Sequence, residues 1–105
     1  FLHVDDLASA VFFVSKSPMN EHLYNVGSNT DLTIRQLSSI IRNVVGHSGK
    51  VQWDSTKPDG TMRKIMDSKK LNDMGWTHKI HLNDGIKMTY KWFIENIKNL
   101  KNVKI

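Results

Sequence analysis

The chain has 105 residues, a formal net charge of +5 and no cysteine. That length argues against two independent lobes, and the lack of cysteine excludes a disulfide framework and a thiolate-held metal. No apolar run approaches the roughly 18 residues of a membrane-spanning helix, so a soluble, cytoplasmic protein is expected, with a basic charge suited to phosphate-bearing partners in general.

Phe1 to Leu7 runs at once into an amphipathic pattern without an initiator methionine, which reads as a cut from a longer chain. Val4, Leu7, Ala8, Val11 and Val14 follow helical spacing, so a first helix is expected from about Asp5 to Lys16. Asp5 and Asp6 favour its positive end, and Pro18 closes the segment. His22 to Val26 reads as a short strand and Gly27 to Asp31 as a turn. Thr33 and Gln36 then fit a capping box. Ile34, Leu37, Ile40, Ile41, Val44 and Val45 form one apolar stripe behind it, and Gly46 supplies the left-handed stop. A second strand is expected over Val51 to Asp54. The charged turn Lys57 to Lys64 leads from it to a short helix, Ser68 to Met74, ended by Gly75, with Trp76 returning to the core. The last helix begins near Asn83 and aligns Ile86, Tyr90, Phe93, Ile94 and Ile97; beyond Asn99 the polar-biased tail is expected to fray. The fold class is therefore α/β, a small α+β-like unit with helices packed on two short strands. So slight a sheet needs helices or a neighbouring domain to cover it.

The six glycines, at 27, 46, 49, 60, 75 and 85, never take the G-x-G-x-x-G spacing of a dinucleotide cradle or that of a P-loop. Neither Tyr24 nor Tyr90 has a lysine four residues later. His78 and His81 lack a third ligand at a recognisable interval, so they read as a solvated loop before the last helix. His3 beside Asp5 and Asp6 reads as a structural residue at a helix entrance ahead of a catalytic dyad.

The turn Lys57-Pro58-Asp59-Gly60-Thr61-Met62-Arg63-Lys64 carries one carboxylate and three cations. Such a turn is most often a solvated connection. Here Arg63 and Lys64 follow it at the entrance to an apolar segment. Arg63 offers a planar fork matched to phosphate oxygens, Lys64 a point charge, and Asp59 can accept hydrogen bonds from a sugar diol.

Several segments, in order, resemble the GDP-L-fucose synthase family. These extended short-chain dehydrogenase/reductases are also called GDP-4-keto-6-deoxymannose epimerase-reductases. The segments are Phe1 to Ala8, Tyr24 to Ser28, Thr33 to Leu37, Val44 to Gly46, the whole Lys57 to Lys64 turn, Leu71 to Trp76 and Thr89 to Asn96. The opening is shared by many extended dehydrogenases; the K-P-D-G-T-x-R-K turn joined to the Tyr90-Lys91-Trp92-Phe93 helix is the more specific part. Met62 stands where the family commonly has proline.

The resemblance implies that residues 1–105 are the C-terminal, substrate-binding part of a two-domain enzyme, with residues 1–18 a helix packed on an upstream Rossmann domain. That domain would bind NADP and carry the catalytic groups, so none of the residues here is expected to be catalytic and the chain alone is expected to be inactive. Asp59, Arg63 and Lys64 are the implied substrate-binding residues, and the implied ligand is a GDP-sugar. A homodimer is expected at full length, with no membrane, metal or nucleic-acid partner. Another nucleotide-sugar epimerase or dehydratase of the same superfamily is the near alternative. A small basic nucleic-acid-binding module is the alternative from a different class, although only Arg35 and Arg42 are cationic between Leu32 and Val45.

Overall fold

His3 starts the first helix by accepting a hydrogen bond at Nδ1 from the Asp5 backbone N–H at 3.2 Å, which fixes the entry to α1, Val4–Lys16. The imidazole is thus a helix cap, the structural role expected of it. The computed structural model describes residues 1–18 and 23–99; His22 and the tail beyond Asn99 lie outside the described residues. Three further α-helices follow: α2, Ile34–Val45; α3, Lys69–Asp73; and α4, Leu82–Asn96, continued by a 3-10 turn over Ile97–Asn99. Each lies within two residues of its expected bounds.

The local chemistry explains those bounds. The Thr33 hydroxyl accepts from the Gln36 N–H while the Gln36 amide oxygen accepts from the Thr33 N–H at 2.8 Å, a reciprocal cap worth about 1 kcal/mol. Gly46 ends α2 at φ 70° and Gly75 follows α3 at φ 104°, both in the left-handed region that favours glycine. Five residues cannot hold a helix in water by themselves. The α3 segment is braced by the Lys69–Asp73 pair at 2.6 Å and by Leu71, which is fully buried.

The two expected strands are not present: among the described residues there is no strand. Leu23 to Val26 and Val51 to Asp54 are irregular, and no backbone–backbone hydrogen bond reaches either run among the described residues. Apolar alternation specifies a face, but a strand exists only where a partner supplies the ladder. Over the described residues the chain is therefore helices joined by long irregular segments, not helices on a sheet.

The core is small. Ala10, Leu71 and Trp76 are its buried apolar residues, flanked by Leu2, Phe13, Val14, Tyr24, Val26 and Met74. Trp76 donates its indole N–H to the Ser9 hydroxyl at 3.0 Å, so the ring is buried with its polar edge satisfied. Asp6 is 3% exposed and accepts the consecutive N–H groups of Lys79 and Ile80, one on each carboxylate oxygen, both at 3.0 Å. This carboxylate ties the 79–80 loop to α1. Helix α2 packs on α4, yet none of its residues is buried, and Ile34 and Ile41 remain 63% and 40% exposed. On α1, Val4, Leu7, Val11 and Phe12 face outward. The Cα radius of gyration, 17.0 Å, exceeds the roughly 13 Å of a closed domain of this length.

Candidate functional site

The charged turn is exposed throughout, and Met62 protrudes fully. Its approach is ordered by Asp54, whose carboxylate accepts from the Thr56 hydroxyl at 2.6 Å and the Thr56 N–H at 2.9 Å. These two bonds, the hydroxyl's the stronger influence, hold the Asp54 carboxyl below its ordinary value. A depressed carboxyl stabilises the turn above the ordinary aspartate range and stops doing so as pH falls through the lowered value. The Thr56 amide proton signal should accordingly titrate in acid with a midpoint below that of an unperturbed aspartate. A midpoint at or above that value would mean the bond is not made in solution.

Past the turn, Arg63 donates from Nε to Asp31 Oδ2 at 2.7 Å, with the side chains 69% and 41% exposed. A pair this open contributes at most about 1 kcal/mol. It leaves both terminal nitrogens of the guanidinium available. Lys64 lines a cleft of about 200 Å³ with Phe1, Gly27, Thr30 and Met66. Small-molecule sites usually enclose about 300–1,000 Å³, so this cleft matches a phosphate or one ring and not a whole nucleotide sugar.

A clamp at residues 27–29 and 66–68 forms the cleft wall. Asn29, at φ 54°, accepts the Ser68 N–H on Oδ1 at 3.0 Å and donates from Nδ2 to Asn72 Oδ1 at 2.7 Å. Ser68, itself buried, donates its hydroxyl to the Gly27 carbonyl at 3.2 Å. A Cβ on Gly27 would sit 2.9 Å from the Cβ of Met66, so only glycine lets the two segments approach this closely.

Of the residues expected at the site, Lys64 is brought to the clamp and Arg63 to Asp31. Asp59 has no hydrogen-bond or ion-pair partner among the described residues. Gly60 does not use left-handed space. Sequence reasoning missed Asp31 as the partner of Arg63, because a pair 32 positions apart leaves no local signal. It also read Gly27-Ser28-Asn29 only as a turn; an asparagine just beyond a glycine was the available hint of a left-handed clamp.

No family model matches the chain. It is 52% identical over 100 residues to GDP-L-fucose synthase 1 of Arabidopsis thaliana, an alignment covering 94% of this chain and 31% of that protein. It is 45% identical over 106 residues to GDP-L-fucose synthase of Escherichia coli K12, covering 91% and 33%. The chain is similar in sequence to GDP-L-fucose synthases over more than nine-tenths of its length. It spans about a third of the length of the curated relatives it matches. Among solved structures, the chain superposes on GDP-mannoheptose C4 reductase from Campylobacter jejuni, determined with NADP bound. That match has a TM-score of 0.78 and 33% identity, covering 90% of this chain and 31% of that one. The helical part of the chain thus has a counterpart in that structure, while the two expected strands are absent among the described residues.

Proposed function

We propose that this chain is the C-terminal, substrate-binding portion of a GDP-L-fucose synthase. The whole enzyme would convert GDP-4-keto-6-deoxy-D-mannose to GDP-L-fucose by epimerisation at C3 and C5 and NADPH-dependent reduction at C4. The observation that carries the proposal is the Lys64 cleft, a phosphate-sized space closed on one side by the clamp and open on the other. Lys64 would meet the diphosphate as a point charge. Arg63 would add its two terminal nitrogens while Asp31 holds Nε, and Asp59 would accept sugar or ribose hydroxyls.

The residues here do not fit NADP. No glycine-rich strand-to-helix turn occurs among the described residues, so the cofactor and the reacting groups would belong to an upstream Rossmann domain. The outward apolar face of α1 is the surface we assign to that domain, and by itself the chain would be inactive. A homodimer of the full-length protein completes the reading.

In the full-length protein, Asp59→Ala and Lys64→Ala should each raise KM for the GDP-sugar by about tenfold to a hundredfold, the worth of one charge-assisted hydrogen bond, and leave kcat nearly unchanged. Wild-type KM in both variants would reject the binding role. A second reading, a reductase or epimerase for another nucleotide sugar, is favoured by the match to a GDP-mannoheptose reductase. Comparing turnover of GDP-4-keto-6-deoxy-D-mannose with that of other GDP-, UDP- and dTDP-sugars separates the two, and a preference for any of those others would sink the first reading.

A further inference from the structure

Away from the Lys64 cleft, the face of α2 from Arg35 to Arg42 and the loop after the helix form a second cleft of about 490 Å³ with Arg35, Arg42, Ser48, Lys50 and Trp53 on its walls. No carboxylate lines it. Elsewhere Arg63, Lys69, Lys87 and Lys91 each have a carboxylate within 4.0 Å. Arg35, Arg42 and Lys50 have none among the described residues. Arg35 is also placed against the helix dipole, since the first turn of α2 contains no acid to offset a cation there. Its guanidinium lies 5.1 Å from the centre of the Trp53 ring, a contact that orients the fork without neutralising it. Arg42 donates from Nε to the His47 carbonyl at 2.9 Å and from Nη2 to the Ser48 carbonyl at 3.3 Å, which fixes the loop and leaves Nη1 uncommitted. The Ser38 and Ser39 hydroxyls both donate to the Arg35 carbonyl and so have no proton for an anion.

We infer that this cleft is a second anion site for a small phosphate- or pyrophosphate-bearing molecule, held by the Arg35 fork, the Lys50 ammonium and the Ser48 hydroxyl. Three unneutralised cations around a space of ligand size suit a doubly charged group, and arginine and lysine together supply planar and point-like contacts to its oxygens. The site shares no residue with the cleft at Lys64, so it does not depend on the function proposed above.

The test is a titration of the isotope-labelled full-length protein with inorganic pyrophosphate, followed by NMR at constant ionic strength. The amide signals of Ser48 to Lys50 and the Trp53 indole signal should move and saturate. In Arg35→Gln/Lys50→Gln the apparent Kd should rise by about tenfold or more, as expected for two lost charge-assisted contacts. Lys64→Ala should leave these shifts unchanged. Arg42 is kept, because it fixes the loop; the exposed single variant Lys50→Gln, with a smaller rise, serves if the double variant fails to fold. Non-saturating shifts, shifts reproduced by potassium chloride, or an unchanged Kd in the variants would overturn the site. Tighter binding of a single-stranded oligonucleotide than of pyrophosphate would replace the small ligand with a nucleic acid.

Discussion

Asp6→Ala is expected to lower the unfolding free energy of the full-length protein by about 2–4 kcal/mol, because it removes a buried acceptor from two part-buried backbone donors, at a cost toward the lower end of about 1–3 kcal/mol each. The carboxylate reaches Lys79 and Ile80 across more than 70 residues of sequence, and at 3% exposure water cannot take its place without the loop moving. Asp6→Asn should fall between wild type and alanine, since an amide has one oxygen to offer where two N–H groups converge. Urea unfolding of the three proteins tests this. Equal stability of Asp6→Ala and wild type would mean that the 79–80 loop is held by something other than this carboxylate. Because Ile80 also lines the apolar groove between α2 and α4, loosening the loop should disturb that groove as well.

Leu71→Ala should cost about 2–5 kcal/mol, the range for removing a fully buried leucine from a core that closes poorly over the gap. With Ala10, Leu71 and Trp76 as the buried apolar residues among those described, the core has little to collapse inward. The effect should spread, since Ser68, the residue just before α3, is half of the clamp beside Lys64. A drop in stability accompanied by faster amide exchange at Ser68 is the expected pair of observations, read by thermal unfolding and hydrogen exchange. Leu71→Met, which conserves volume, should cost less than about 1.5 kcal/mol. If alanine cost no more than methionine, Leu71 would not be the residue that fastens α3.

The helices were legible because their signals are local. Thr33 and Gln36 sit three residues apart and bond each other, and Gly46 and Gly75 mark ends that the backbone then makes in left-handed space. The burial of Trp76 was legible too, as an aromatic just beyond a helix stop. The strands were misread at Leu23 to Val26 and Val51 to Asp54 because β-structure is a relation between segments, and a short run of Val, Trp and Tyr carries no information about whether a partner is in reach. At the candidate site the charged residues were visible as residues, but their company was not. Arg63 meets Asp31, Lys64 meets the 27–30 segment, and neither partner is announced by spacing. The inward tie from Asp6 was hidden for the same reason, under a reading of Asp5 and Asp6 as helix-dipole acids.

The left-handed asparagine of the clamp narrows what evolution can write at that position. Glycine would accept φ 54° with ease but brings no amide to meet Ser68 and Asn72. Aspartate would tolerate the backbone and accept from Ser68, but it has no proton for the Asn72 oxygen. Glutamine has the right amide on a longer stem and loses the local stabilisation that lets short polar side chains occupy this region. Asparagine meets the backbone, donor and acceptor demands at once where glycine, aspartate and glutamine each fail one, so position 29 is tightly specified in a segment that otherwise looks like freely variable loop.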